Sequence, residues 1–245
     1  MKRAGCRGLA ALCIVPLIAV VAATAVTSAA DLPGPAAVPP PAPYVPTVAP
    51  VYNWGGVYFG INGGYALGES EWATTALGST GQFNTTGFAF GGTVGANYQL
   101  DAFVFGIEGD VDYMGIDGRS TAATPCSNDS FVCETKQTWL STFRVRAGYA
   151  ADRVLFYGTA GGVYGNIQAG AAGSTLTVKN EPGWTAGAGI EGALTESVTL
   201  RAEYLFVQME NATPFSLPIT GTAVTPVTIK LNENLIRLGV DYKFR

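Results

Sequence analysis

Three carboxylates spaced by two, Glu108, Asp110 and Asp112, are the residues of this 245-residue chain whose arrangement first suggests chemistry. On a β-strand that spacing puts all three on one face. Neighbouring carboxylates can divide into a general acid and a general base, or they can gather a calcium ion on oxygen ligands. Charged side chains of matching parity recur further along as Arg144, Arg146, Glu191, Arg201, Glu203, Arg237, Asp241 and Lys243. Six acids are thus set against five cations. Charges removed from water are costly unless they pair, so a shared ion-pair network is favoured over calcium binding and over catalysis. The chain contains no histidine, which removes the commonest general base and the orienting group of nucleophilic triads. No catalytic residue, metal or cofactor is assigned.

Other reactive patterns are equally plain. Cys126 and Cys133 are the only cysteines beyond the N-terminal region. In an oxidising compartment they read as one disulfide closing a short loop. Their spacing is not C-x-x-C, and no histidine could complete a zinc site. Gly187-Ala188-Gly189 does not lead into a helix-forming segment, so it is no dinucleotide loop. Gly68-Glu69-Ser70-Glu71 lacks the second glycine of a nucleophile elbow. The inward glycines are expected to make room for long charged side chains.

The elements that must position these charges are strands. From Tyr52 onward the chain divides into eight alternating segments. Val57, Phe59, Ile61 and Tyr65 share one face of the first (Tyr52–Ala66), opposite Tyr58, Gly60, Asn62 and Gly64. Segments near 86–99, 102–116, 138–149, 183–194 and 198–208 alternate likewise, whereas 154–168 is too glycine-rich for its faces to be assigned. In the last, Ile236, Leu238, Val240, Tyr242 and Phe244 oppose Leu235, Arg237, Gly239, Asp241 and Lys243. Connections after the second, fourth and sixth segments are tight (99–102, 150–153, 195–197). Those after the others are long and polar or small (67–85, 117–137, 169–182, 210–233). Ten residues at ~3.4 Å, tilted ~45°, span about 24 Å, close to the apolar band of an outer-membrane barrel. The expected fold is all-β: an eight-stranded antiparallel up-and-down transmembrane β-barrel with short periplasmic turns and four longer extracellular loops. A secreted β-sandwich would not explain the alternation of short and long connections.

The N-terminus supplies an address. Lys2, Arg3 and Arg7 precede an apolar run from about Leu9 to Val26, and Ser28-Ala29-Ala30 offers small residues for cleavage. Residues 1–30 read as a signal peptide, 31–51 as a periplasmic linker with eight prolines, and 52–245 as the barrel. Removing residues 1–30 leaves 11 basic against 18 acidic side chains, a net charge of −7. Such a chain has no electrostatic basis for binding nucleic acid. Past the leader no apolar stretch reaches the ~20 residues of a membrane helix.

Asn53-Trp54-Gly55-Gly56-Val57-Tyr58, Val104–Asp110, Arg144–Tyr149 with Leu155-Phe156-Tyr157, Gly183–Glu191, Arg201–Leu205 and the C-terminal strand together resemble a known family. It is the small outer-membrane β-barrel family of alphaproteobacteria, the outer-membrane surface antigens or "porin family" proteins. The resemblance spans essentially all of 52–244. It implies an outer-membrane location and an assembly signal read by the barrel-assembly machinery, here Arg237, Gly239, Tyr242 and Phe244; Arg245 departs from that pattern. The expected role is structural and surface-exposed, with a lumen filled by ion pairs. The alternatives are a narrow channel for small hydrophilic solutes, or ligand and host-surface binding through the extracellular loops. Expected partners are outer-membrane lipids and the assembly machinery, with peptidoglycan or cell-surface ligands as candidates.

Overall fold

The computed structural model describes residues 52–74, 78–120, 132–171, 176–211, 214–220 and 223–244. The signal peptide, the proline-rich linker, Cys126 and Arg245 all lie outside them. The described residues form nine strands: β1 (Gly56–Thr74), β2 (Gly78–Leu100), β3 (Phe103–Arg119), β4 (Cys133–Ala151), β5 (Val154–Ala171), β6 (Thr177–Ala193), β7 (Val198–Glu210), β8 (Phe215–Thr220) and β9 (Ala223–Lys243). Each ring strand pairs antiparallel with its neighbour, and β1 pairs with β9 to close an eight-stranded barrel. The short β8 is no part of the ring and pairs only with the top of β9. Closure matters because every backbone N–H and C=O within the bilayer must be satisfied internally.

The periplasmic turns are as tight as expected. Asp101 and Asp152 sit at the turns after β2 and β4, both with φ of 52°. Asp is among the few side chains that tolerate that left-handed conformation. The expected lipid faces are also found: Ile61 is 68% exposed and its neighbour Asn62 only 8%. On β5, the strand that sequence left unassigned, Phe156, Gly158, Ala160, Gly162 and Tyr164 point outward, and Leu155, Tyr157 and Val163 point inward. Tyr242 and Phe244 pack beside Phe59 at 5.7 and 5.4 Å between ring centroids, so the last and first strands share one aromatic cluster at the periplasmic edge.

Two expectations are corrected. Three of the four long loops, 67–85, 169–182 and 210–233, are for the most part continued strand, and so are 117–119 and 133–137 of the fourth. β1 runs to Thr74 and β2 begins at Gly78, so most of 67–85 is hairpin. Above the membrane band the alternation inverts. Glu69 and Glu71 turn outward on β1 while Ser70 and Trp72 turn inward. Water replaces lipid outside, so polar side chains leave the interior and apolar ones enter it. The second correction concerns the start. Tyr52–Trp54 lies across the periplasmic mouth, and the strand begins only at Gly56, whose φ of +129° allows the chain to turn upward.

Candidate functional site: a sealed barrel lumen

The inside of the barrel has three levels. The middle one holds the charges, and strand register explains why they meet. Glu108 is directly opposite Arg144, Glu203 opposite Arg237, and Glu191 opposite Arg201. Each pair joins adjacent strands with opposite charge, the favourable cross-strand arrangement. Guanidinium forks then tie the pairs together across the lumen. Arg144 donates to Asp110 at 2.7 Å, to Glu203 at 3.0 Å, and to Glu108. Arg237 donates to Asp112 at 2.6 Å, Asp110 at 3.1 Å and Glu203 at 2.5 Å. Arg201 joins Asp241 at 2.9 Å to Glu108. Arg146 holds Glu191 at 2.7 Å and stacks 3.9 Å from the centre of the Tyr157 ring. All ten of these charged residues are at most 4% exposed.

Sequence placed these ten on the inward face, and the structure brings them into contact. Lys243 stands apart. Its amine reaches the backbone carbonyl of Asn53 and lies 4.3 Å from the Tyr52 ring centre, at the mouth below the charge layer. It occupies the last pairing position of β9, opposite Tyr58, where a long flexible stem extends more easily downward than into the packed interior. Sequence reasoning missed three partners. Tyr58 donates to Glu108 at 2.6 Å, Tyr157 to Glu203 at 3.0 Å, and Thr142 to Asp110 at 2.7 Å. The parity of Tyr58 and Thr142 was readable, but their hydrogen-bonding role was not. Glycine makes the room: a Cβ on Gly95 would lie 2.3 Å from the Tyr58 hydroxyl, and one on Gly189 2.4 Å from that of Tyr157.

Above the charges is an apolar level containing Trp72, Met114, Ile116, Leu140, Val163, Ile167, Leu205, Val207, Met209, Ile229, Leu231 and Leu235, all buried together. Glu233 is buried at this level too, where burial pushes its carboxyl up to about 8. The Gln137 amide, with its nitrogen turned toward Glu233, donates at 2.8 and 3.2 Å. Cys133 opens β4 at this end of the barrel and is fully buried.

Below the charges, Tyr52 and Trp54 cluster with Val104, Ala150, Leu155 and Tyr157. The Trp54 backbone N–H donates to Gln99 at 2.6 Å and its indole N–H to the Asp152 carbonyl at 3.0 Å. Tyr52 reaches the Glu196 carbonyl at 3.4 Å. This short segment therefore binds all three periplasmic turns. Of the expected assembly-signal residues, Tyr242 and Phe244 face lipid, while Gly239 faces inward beside Arg201. Among the described residues no group of three or more acidic, cysteine or histidine side chains is arranged to hold a metal ion.

A closed antiparallel barrel with a lipid-facing apolar exterior and a filled interior defines a small integral outer-membrane barrel protein. The chain matches the family described as "Outer membrane protein beta-barrel domain" over residues 17–244, and it belongs to that family. It is 33% identical over 221 residues to the 31 kDa outer-membrane immunogenic protein of Brucella melitensis, covering 82% of this chain and 89% of that protein. It is 31% identical over 199 residues to the 22 kDa outer membrane protein of Rhizobium leguminosarum bv. viciae, covering 80% and 81%. Among solved structures it is similar to the outer membrane protein OprG from Pseudomonas aeruginosa, at 13% identity and a TM-score of 0.49, covering 80% of this chain and 100% of that one. The protein resides in the bacterial outer membrane.

Proposed function

We propose that this protein is a structural and surface-presenting barrel that does not conduct solutes. One observation carries the reading: the lumen is filled at three successive levels, by aromatic residues at the periplasmic mouth, by ion pairs at mid-membrane, and by an apolar core above. Eight strands enclose an interior that side chains can fill, and here they fill it. The arginine contacts of Glu108 and Asp110 also suit a structural part better than acid–base catalysis, since Glu108 is engaged by three guanidiniums and Asp110 by two. Its lipid-facing surface has the outer membrane as its partner. The two aromatics on the lipid side of β9, with Gly239, are what the assembly machinery would read. The test is planar-bilayer conductance of the refolded protein. Only baseline current is expected. Steady, solute-permeable openings would overturn the reading in favour of a narrow channel.

A second role, contact with ligands or host surfaces at the extracellular end, is favoured by the strand extension. It carries the described strand ends clear of the lipid band on a packed support. The related Brucella proteins carry the name immunogenic, which suits a surface that is presented outside. Binding of the refolded protein to intact host cells, lost when residues 121–131 are deleted, would support this role.

A further inference from the structure

The charge layer does not balance. Glu108, Asp110, Asp112, Glu191, Glu203 and Asp241 contribute six negative charges, and Arg144, Arg146, Arg201 and Arg237 contribute four positive ones, all in a buried layer. Lys243 does not make up the difference, because its amine is at the solvent-accessible mouth. Two uncompensated charges in a sealed, low-dielectric lumen are too costly to leave as they stand.

The hydrogen bonding shows where the excess lies. Among the buried carboxylate oxygens of the described residues, two have no partner: Asp112 Oδ1 and Asp241 Oδ2. The other oxygen of each is held by an arginine, Arg237 at 2.6 Å and Arg201 at 2.9 Å. The same layer also holds an unpartnered Asn62 side-chain carbonyl and unpartnered Nε–H groups on Arg144, Arg146 and Arg237. Asn62, Gly91 and Asp112 form one row across β1, β2 and β3, each directly opposite the next. The central glycine has no side chain, so Asn62 and Asp112 meet over it. A Cβ on Gly91 would lie 2.1 Å from Asp112 Oδ1. The Asn62 amide gives one of its two N–H groups to Thr93 at 3.1 Å. Asp112 Oδ1 and Asp241 Oδ2, the two carboxylate oxygens that no arginine holds, are where the excess charge lies.

We propose that the lumen is a binding site for two protons, one on Asp112 and one on Asp241, that are part of the folded barrel at neutral pH. The Asp112 proton sits on Oδ1, the oxygen that no arginine holds. The groups around Asp112 are Arg237 from β9, Asp110 from its own strand and Asn62 from β1. Those around Asp241 are Arg201 from β7, Glu191 from β6, Glu108 from β3 and Arg146 from β4. With two protons the layer is neutral. Glu108, Asp110, Glu191 and Glu203 remain the four carboxylates matched to four arginines.

Infrared spectroscopy of the full-length protein, refolded in lipid vesicles at pH 7, tests this directly. A protonated-carboxyl C=O band is expected, smaller in D112N and in D241N and absent in the double variant. Both asparagines mimic the neutral acid, so the urea midpoint of each single variant should stay within about 0.5 M of the parent. D110N removes a charge that two arginines need, and its midpoint should fall by more. The proposal is overturned if the parent lacks the band, or if the band survives in the double variant. It is equally overturned if D112N and D241N lower the midpoint as much as D110N does. Replacement of the band by a dependence of stability on sodium or potassium concentration would mean that alkali cations hold the site instead, which also overturns it.

Discussion

Arg144 is the residue on which the charge layer turns, since it contacts Glu108, Asp110 and Glu203 from strands β3 and β7. Removing one partner of a buried ion pair strands the others without water, at a cost on the order of 3–5 kcal/mol. Arg144→Ala should therefore lower barrel stability by about that much, read as a loss of the folded, fast-migrating band on unheated gels at reduced urea. Arg153, whose partner Glu196 is 2.9 Å away on the exposed periplasmic surface, should give less than 1 kcal/mol when changed to Ala. Equal losses for the two would show that the lumen layer is no more sensitive than the surface. Glu233 makes the opposite prediction. Its carboxyl lies above the lipid band among apolar side chains, and burial raises it from the usual 4.5 to about 8. The folded state then holds a proton that the unfolded chain releases, so stability falls as pH rises from about 4.5 to about 8 and levels off above that. The cost is about 1.4 kcal/mol per unit of separation, hence a few kcal/mol by pH 8. Glu233→Gln puts a neutral amide in place of the neutral acid against Gln137 and should raise stability at pH 8 while leaving it unchanged at pH 4.5. A variant less stable than the parent at pH 8 would contradict this account.

At the scale of elements, the segment before β1 acts as a latch. Tyr52 and Trp54 are each 2% exposed, and their hydrogen bonds reach the turns after β2, β4 and β6. Such contacts can form only once all three hairpins stand side by side, so the latch reports a completed ring. Trp54→Ala should cost about 3–5 kcal/mol, as large-to-small changes at buried aromatic sites do. It should also open the periplasmic vestibule. Leu155 lies directly behind the latch, so a cysteine placed there should react with a water-soluble maleimide in the Trp54→Ala background and hardly at all in the parent. The Arg144–Glu203 layer above Leu155 stays closed, and the variant should remain non-conducting. Equal labelling in both backgrounds would mean that the mouth is open without any latch. Sequence places Tyr52 at the start of the first strand, Tyr52–Ala66. Nothing in period-two alternation marks the bend at Gly56, where φ is +129°.

Across the whole molecule, the membrane half was legible in sequence and the extracellular half was not, for one physical reason. Lipid imposes an apolar-out, polar-in alternation, so Val57, Phe59 and Ile61 or Tyr242 and Phe244 announce which way they point. Above the band both solvents change places, with water outside and a dry core inside, and the polarity of the two faces inverts while the same alternate residues keep facing outward. Trp72, Ile229 and Leu231 were therefore read as parts of polar loops although they are fully buried strand residues. The glycines of β5 hid its faces, and with them Tyr157, because a residue without a side chain votes for neither face. The inversion itself can be measured. On β1 the outward series runs Ile61, Tyr65, Leu67, Glu69, Glu71 and Ala73, and the lipid band should end between Leu67 and Glu69. In a background with the native cysteines changed to Ser, a fluorophore attached to single cysteines at Ile61 and Leu67 should be quenched by brominated lipid. At Glu71 and Ala73 it should instead be quenched by aqueous iodide. Lysine at Ile61 should cost about 2–4 kcal/mol, the penalty for a cation at mid-bilayer on a barrel's lipid face, whereas lysine at Ala73 should be nearly neutral. Bromolipid quenching at Glu71 as strong as at Ile61 would place the apolar core of Trp72 and Ile229 inside the bilayer, and the inversion would then need a cause other than the change of solvent.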